Sequence, residues 1–207
     1  MTTEEKGHVL MSHTHKFNPD NAGHLDHPLR KWLLAQGEVL TAANPKQEDL
    51  WADIGCGTGF FSIPLSKRVK KVYAIDISQQ MLDILKGKIS HSRIINIDPL
   101  LSQENVLPLP ENSVDGIFMA FVAHELSEPA VFFAELKRIL RNGGRLFIVE
   151  FTKRGYFGPP TSERLEKERI DRWAINTGLE AGTAYHWSKS LLGWKYVDIA
   201  GWEYLKK

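Results

Sequence analysis

From Asp49 onward, short apolar runs take turns with longer stretches in which apolar residues recur every three or four positions. DLWADI (49–54), KVYAID (71–76), VDGIFMAF (114–121) and RLFIVEF (145–151) have strand length and read as buried strands. NIDPLL (96–101) is a weaker strand, and Pro99 cannot donate to a ladder, so it belongs at a sheet edge. Helical spacing predicts a helix from the glycines at 55–59 to about Arg68, and further helices over 79–89, 128–141 and 162–178. Asn142-Gly143-Gly144 is expected to stop the helix that ends at Arg141. Ahead of the alternation, Pro28 suits a first helical position, with Asp26 or His27 as the cap, and LRKWLLAQGEVL continues that helix. TAYHWS (183–188) and WKYVDIAGWEYL (194–205) close the chain as strands. Strands alternating with helices imply parallel βαβ units, so the expected fold class is α/β, a doubly wound Rossmann-like sheet with helices on both faces. Trp32 and Trp173 fall on amphipathic helices and are expected in the core, with Trp187, Trp194 and Trp202 packing in the last strands.

The pattern divides the chain into a polar, His-rich N-terminal tail over 1–16, expected to be flexible, and a single domain over 17–207. Within that domain 17–48 forms an N-terminal lid and helix region. His13 and His15 in the tail have no other ligand cluster beside them, so a solvated tail is preferred to a metal site, and no metal is expected. Lys plus Arg number 26 against 25 Asp plus Glu, which leaves no basic excess for a nucleic-acid partner. The single cysteine, Cys56, cannot form an internal disulfide, and no apolar run reaches the ~18 residues of a membrane span. With no signal-peptide core at the N-terminus, these features point to a cytoplasmic protein.

The chemistry concentrates in Asp53-Ile54-Gly55-Cys56-Gly57-Thr58-Gly59, where the first strand of the alternation ends. Glycines at alternate positions let the backbone turn sharply and approach a ligand, and the next helix aims its free N–H groups at the same place. The spacing is GxGxG rather than the GxGxxG of dinucleotide binders, and Asp53 would repel a phosphate while attracting an ammonium or sulfonium. Asp76 ends the next strand, where an acid accepts hydrogen bonds from both ribose hydroxyls.

DIGCGTGFFSIPL, VYAIDIS, LPLPENSVDGIFMAFVAHEL and ELKRILRNGGRLFIVEF together resemble the class I S-adenosylmethionine (SAM)-dependent methyltransferases, over roughly residues 49–151. Within them the chain looks most like the small-molecule group typified by the ubiquinone/menaquinone biosynthesis methyltransferases. KFNPDNAGHLDHP (16–28) and the GPP at 158–160 resemble small bacterial methyltransferases of unassigned substrate. The resemblance implies a seven-stranded sheet whose last strand is antiparallel, with SAM as methyl donor, S-adenosylhomocysteine as product and a small-molecule acceptor. It places Asp53 and the backbone of Gly55, Cys56, Gly57 and Gly59 at the methionine part of SAM, and Asp76 at the ribose. Ile77 and Met81 would pack near the adenine, and Ala120 and Phe121 beside the SAM carbons. Gln103 and Glu104 stand where the family usually has an Asp-Ala that meets the adenine amino group.

Methyl transfer is an in-line displacement on an already reactive sulfonium, so alignment is the protein's main task; a base helps only an acceptor that must lose a proton. His124, after the fourth strand, is the candidate base, set against a helix-start histidine bonded to backbone. Glu150 at the end of the fifth strand is a further catalytic candidate near the cleft, or else a strand-end acid paired with a neighbour such as Lys153. Tyr156, on the following loop, could meet the acceptor or simply pack. Phe17, Asn21, His24 and His27 are the lid residues that could reach the ligands. A nucleic-acid amino methyltransferase would need an Asn/Asp-Pro-Pro-aromatic motif after the fourth strand, where this chain has MAFVAHEL. An arsenite methyltransferase would need several thiolates, and a nicotinamide oxidoreductase the GxGxxG motif. A catalytically silent SAM-binding module is the alternative from outside the enzymes.

Overall fold

The structure is a computed structural model, and it describes residues 28–191 and 194–207. Residues 1–27, with His13, His15, the lid candidates Phe17, Asn21, His24 and His27, and the Asp26/His27 cap, lie outside the described residues. In chain order the elements are α1 (Pro28–Leu33), α2 (Gln36–Ala42), β1 (Leu50–Ile54), α3 (Ser62–Ser66), β2 (Lys71–Asp76), α4 (Gln79–His91) and β3 (Ile97–Leu101). They continue with β4 (Val114–Ala120), a short 3-10 turn (Ala123–Glu125), α5 (Pro129–Ile139), β5 (Leu140–Phe151), α6 (Lys167–Asn176), β6 (Glu180–Leu191) and β7 (Trp194–Leu205).

One seven-stranded sheet has the order β3-β2-β1-β4-β5-β7-β6. The first five strands in that order are parallel, and β7 runs antiparallel to both β5 and β6. Successive side chains of a strand face opposite sides, so each central strand feeds two cores. Ile117, Met119, Leu146 and Ile148 meet α5 and α6 on one face. Trp51, Phe118, Phe147 and Val149 meet α1 to α4 on the other. Burial on both faces is why these strands read as nearly unbroken apolar runs. β3 lies at the edge, where the missing N–H of Pro99 costs no ladder bond.

Three local expectations change. The helix opened by Pro28 is two helices, because Ala35 adopts a left-handed backbone (φ 47) and breaks the ladder between them. α5 ends at Ile139, before the glycines reach it, and Asn142-Gly143-Gly144 falls at the head of β5. There the register against β4 jumps from Val114↔Leu140 to Gly116↔Arg145, and Gly143 (φ 78) donates its N–H to the Lys206 carbonyl (2.7 Å). These glycines therefore serve a bulge rather than a helix cap. α6 starts at Lys167 rather than Ser162, since Arg164 and Leu165 are turned inward.

Of the tryptophans expected in the core, Trp173 packs on Phe133 with ring centres 5.8 Å apart, but Trp32 is 51% exposed. Its ring lies 5.8 Å from the Lys189 ammonium, a surface cation–π contact that a hydrophobic periodicity does not reveal. Trp51 is fully buried in the middle of the sheet, over Gly116. A Cβ on Gly116 would stand 2.2 Å from the Trp51 ring. Gly116→Ala should therefore destabilise the fold by about 1–3 kcal/mol or more through overpacking. Urea unfolding measures it, and an unchanged midpoint would show that the indole can move aside.

Candidate functional site

The strand order reverses between β1 and β4, and ligands of open α/β sheets bind beyond the carboxyl ends of strands at such a point. A cavity of about 1410 Å³ opens there, bordered by the ends of β1, β2, β4 and β5 and roofed in part by Leu29, Arg30 and Leu33 of α1.

On one side the chain leaves β1 through Gly55 (φ 66), Gly57 (φ 53) and Gly59 (φ 86). Gly55 needs its left-handed backbone and also close approach, since a Cβ there would sit 2.3 Å from Val122 Cγ2. The amides of Gly55 and Cys56 donate to the Ile75 carbonyl at 2.8 and 3.1 Å, tying the turn to the end of β2. Asp76 completes that tie, accepting from the Gly57 amide (2.8 Å) and the Ser78 amide (2.9 Å). Burial raises the Asp76 carboxyl above its ordinary range, against the lowering effect of those amides. Ser78 caps α4 through the Met81 amide, which sets Met81 on the cavity wall with exposed Ile77 beside it.

Of the residues singled out for the cofactor, Gly55, Cys56, Gly57, Asp76, Ile77, Met81, Glu104, Ala120 and Phe121 border the cavity. Asp53, Gly59 and Gln103 do not. Asp53 is buried beneath the turn and accepts a hydrogen bond from the Ser62 hydroxyl. Burial pushes its carboxyl up to about 7, with the Ser62 bond opposing and the Asp76 charge adding to the rise. Gly59 faces inward, where a Cβ would meet Leu85 Cδ1 at 2.4 Å. Gln103 is exposed and bridges to Val106, while Glu104 accepts from the Ser127 hydroxyl at 2.8 Å. Cys56 is buried, and burial pushes its thiol well above the ordinary value. That keeps it protonated and limits its part to backbone and bulk.

On the other side stand an aromatic wall and an ion pair. Phe121 stacks on Phe151 (4.3 Å between centres), which meets Phe157 (5.9 Å), which meets Tyr196 (5.9 Å). Phe61 extends the row toward Phe60. His124 Nδ1 lies 2.9 Å from Glu150 Oε2, and the His124 amide donates to Glu150 Oε1 at 3.3 Å. Glu150 is 1% exposed and ends up paired with His124 rather than Lys153, which reaches Glu166 instead (2.9 Å). Burial alone would lower the His124 pKa; the Glu150 bond and charge, helped by Glu125 and Glu163, outweigh it and leave the pKa raised. Tyr156 borders the cavity and is 67% exposed. Phe60, Phe157, Glu163 and Tyr196 line this side without any signal in the sequence pattern that singled them out. Only a fold that brings the loop after β5 against β7 reveals them.

Residues 52–148 match the family model described as a methyltransferase domain. The chain is 32% identical over 118 residues to the ubiquinone/menaquinone biosynthesis C-methyltransferase UbiE of Chromobacterium violaceum, covering 56% of this chain and 48% of that protein. It is 30% identical over 146 residues to the demethylmenaquinone methyltransferase of Tropheryma whipplei, covering 70% and 60% respectively. It thus spans about half of the length of the curated relatives it matches. The crystal structure of a SAM dependent methyltransferase from Aquifex aeolicus has a TM-score of 0.81 and 33% identity, with 91% of this chain and 98% of that one covered.

The ion pair has a pH signature. A histidine whose folded pKa is raised stabilises the fold below its unfolded value, near 6.5, and loses that contribution as pH rises through the folded pKa. Glu150→Gln should therefore destabilise more at pH 6 than at pH 9 and should lower the His124 pKa seen by NMR. Equal destabilisation at both pH values would mean that the pair is held by the neutral imidazole.

Proposed function

We infer that this chain, which belongs to the SAM-dependent methyltransferase family, transfers the methyl group of SAM to a small, flat acceptor that loses a proton as it reacts. The observation that carries this reading is the cavity itself. At about 1410 Å³ it exceeds the ~300–1,000 Å³ usual for one small ligand, and its two sides differ in chemistry.

The glycine-turn side suits SAM. Gly55 to Gly57 border the cavity with a tightly turned backbone, Asp76 stands ready for two ribose hydroxyls, and Ile77 and Met81 give an apolar slot for a base. Bound SAM supplies an electrophilic methyl on a sulfonium. Asp53 supports the turn from below through Ser62 rather than from the wall.

The aromatic side suits the acceptor. Phe121, Phe151, Phe157 and Tyr196 form a continuous ring surface for a planar molecule and exclude water. An ionised Glu150 requires a proton on His124 Nδ1, which leaves Nε2 as the nitrogen able to accept one. His124 therefore acts as general base, Glu150 orients it, and Tyr156 contacts the acceptor at the cavity rim. The matched curated relatives are named for ubiquinone and menaquinone biosynthesis, which makes a quinol head group the acceptor class to test first.

Four expectations follow from these roles. SAM at 100 times its dissociation constant should stabilise the protein by about 2.7 kcal/mol, and Asp76→Ala should weaken binding at least about tenfold. Calorimetry with SAM and S-adenosylhomocysteine tests both, and no heat from a well-folded wild type would end the reading. His124→Ala should cut turnover by ~10²–10⁴ while cofactor affinity persists. The wild-type kcat should climb with pH through a His124 pKa that lies above 6.5, since only the neutral imidazole accepts a proton. Binding of SAM without transfer to any quinol or phenol would instead favour a silent SAM-binding module.

A further inference from the structure

The loop between β5 and α6 is held in a way that neither its sequence nor the methyl-transfer reading requires. Arg164 is 5% exposed, with its guanidinium beneath that loop. Nε donates to the Pro159 carbonyl (2.8 Å), Nη1 to those of Thr152 (2.8 Å) and Gly155 (2.5 Å), and Nη2 to that of Phe157 (3.3 Å). Every one of these acceptors is a backbone oxygen, and burial lowers the Arg164 pKa with no carboxylate among the described residues to offset it. A guanidinium stays charged at any ordinary pH, and burying it without a counter-charge is costly. Only its planar fork of five donors gathers so many carbonyls at once, which a lysine cannot match.

Two of the carbonyls it gathers, those of Phe157 and Pro159, belong to residues on the aromatic side of the cavity. Tyr156, Phe157, Gly158, Pro159 and Pro160 all border it, as does Glu163, the residue before Arg164. The loop is also pressed against the sheet. A Cβ on Gly155 would meet the Asp198 amide nitrogen at 2.7 Å, and one on Gly158 (φ 119) the Phe151 ring at 2.8 Å. The amides of Tyr156 and Phe157 both donate to the Tyr196 carbonyl, at 3.1 and 2.8 Å. The fixed path holds the Phe157 ring against Phe151 and Tyr196, on the cavity that His124 also borders.

We propose that Arg164 is a positioning residue for the acceptor: by clamping the carbonyls of residues 152–159 it shapes the aromatic wall against which a planar acceptor is aligned. The proposal rests on the reading of this side as the acceptor site. It acts through the loop and not on SAM, so it affects one substrate and spares the other. Misplacing a reactant by about 1 Å can cost about 10²-fold, so a loosened wall should show in acceptor affinity before anything else.

The test compares wild type, Arg164→Met, Arg164→Lys and Lys206→Met. Lys206 is a control clamp at the far end of the sheet, where its Nζ donates to Asn112 Oδ1 and to the Lys137 and Leu140 carbonyls. Readouts are amide hydrogen exchange over 153–160, calorimetry with S-adenosylhomocysteine, the KM for 1,4-naphthalenediol with SAM as donor, and binding of 1,4-naphthoquinone by fluorescence quenching. Arg164→Met should speed exchange over 153–160 at least about tenfold and raise the diol KM and quinone Kd about 10- to 100-fold, with the S-adenosylhomocysteine Kd changed less than about twofold. Arg164→Lys, which keeps the charge if the Met variant does not fold, should recover part of both effects. Lys206→Met should lower the melting temperature without touching the loop or the probe. Unchanged exchange in Arg164→Met overturns the clamp, and so does a KM that rises equally in Lys206→Met. A wild type that binds no S-adenosylhomocysteine overturns the function reading instead. If it binds that product but no naphthoquinone, the acceptor wall and the role of Arg164 fall together.

Discussion

Between β1 and β4 the sheet changes its direction of growth, and the site depends on that reversal. β1 leads on to a neighbour on one side and β4 to a neighbour on the other, so their connections diverge and neither can roof the gap between them. The two strands pair directly because Gly116 leaves room for the buried indole of Trp51. The two loops that leave them touch, with Gly55 against Val122, and both turn through left-handed residues, Gly55 at φ 66 and Phe121 at φ 61. Phe121 has no glycine's freedom, and such a backbone costs roughly 1–2 kcal/mol. Its amide bond to the Val149 carbonyl (2.8 Å) and its stacking on Phe151 hold it there, at the meeting of the two halves of the cavity.

Buried acids around the cavity are each given donors rather than removed. Asp53 has Ser62, Asp76 has the amides of Gly57 and Ser78, and Glu150 has the ring and amide of His124. The Asp53 carboxyl, raised to about 7, favours the fold most while protonated, and that contribution is lost as pH rises from its unfolded value near 3.8 through about 7. The His124 ion pair runs in the same direction. The glycine turn and the turn that carries His124 thus both lose stability as pH rises, Asp53 over the lower range and His124 above 6.5.

Much of this was legible in the chain because parallel strands buried on both faces cannot hide their apolar runs, and because the glycine turn and Asp76 are local features. Pro99 announced an edge strand for the same local reason. Contacts across long sequence gaps were not legible. His124 and Glu150 are 26 residues apart, and nothing in either neighbourhood marks the other as its partner. Arg164 read as one more charge at the start of an amphipathic helix, since a polar residue turned inward toward carbonyls looks the same in sequence as one turned toward water. Asp53 is the converse case. A motif located the turn correctly, but only packing decides that its carboxylate lies under the turn while the backbone faces the cavity.

The strand order carries a consequence for how the molecule assembles. Among the described residues β6 has a single hydrogen-bonded neighbour, β7, and β7 lies between β6 and β5. During synthesis from the N-terminus, β6 therefore emerges with no edge to join, and β5 keeps an unpaired apolar edge until the final strand arrives. The last two strands must fold as a hairpin and dock together. Tyr196 and its carbonyl, which steady the loop carrying Phe157, come with that hairpin. The glycine turn and Asp76 are built on strands already in place, whereas the wall where Phe157 meets Tyr196 depends on the docked hairpin.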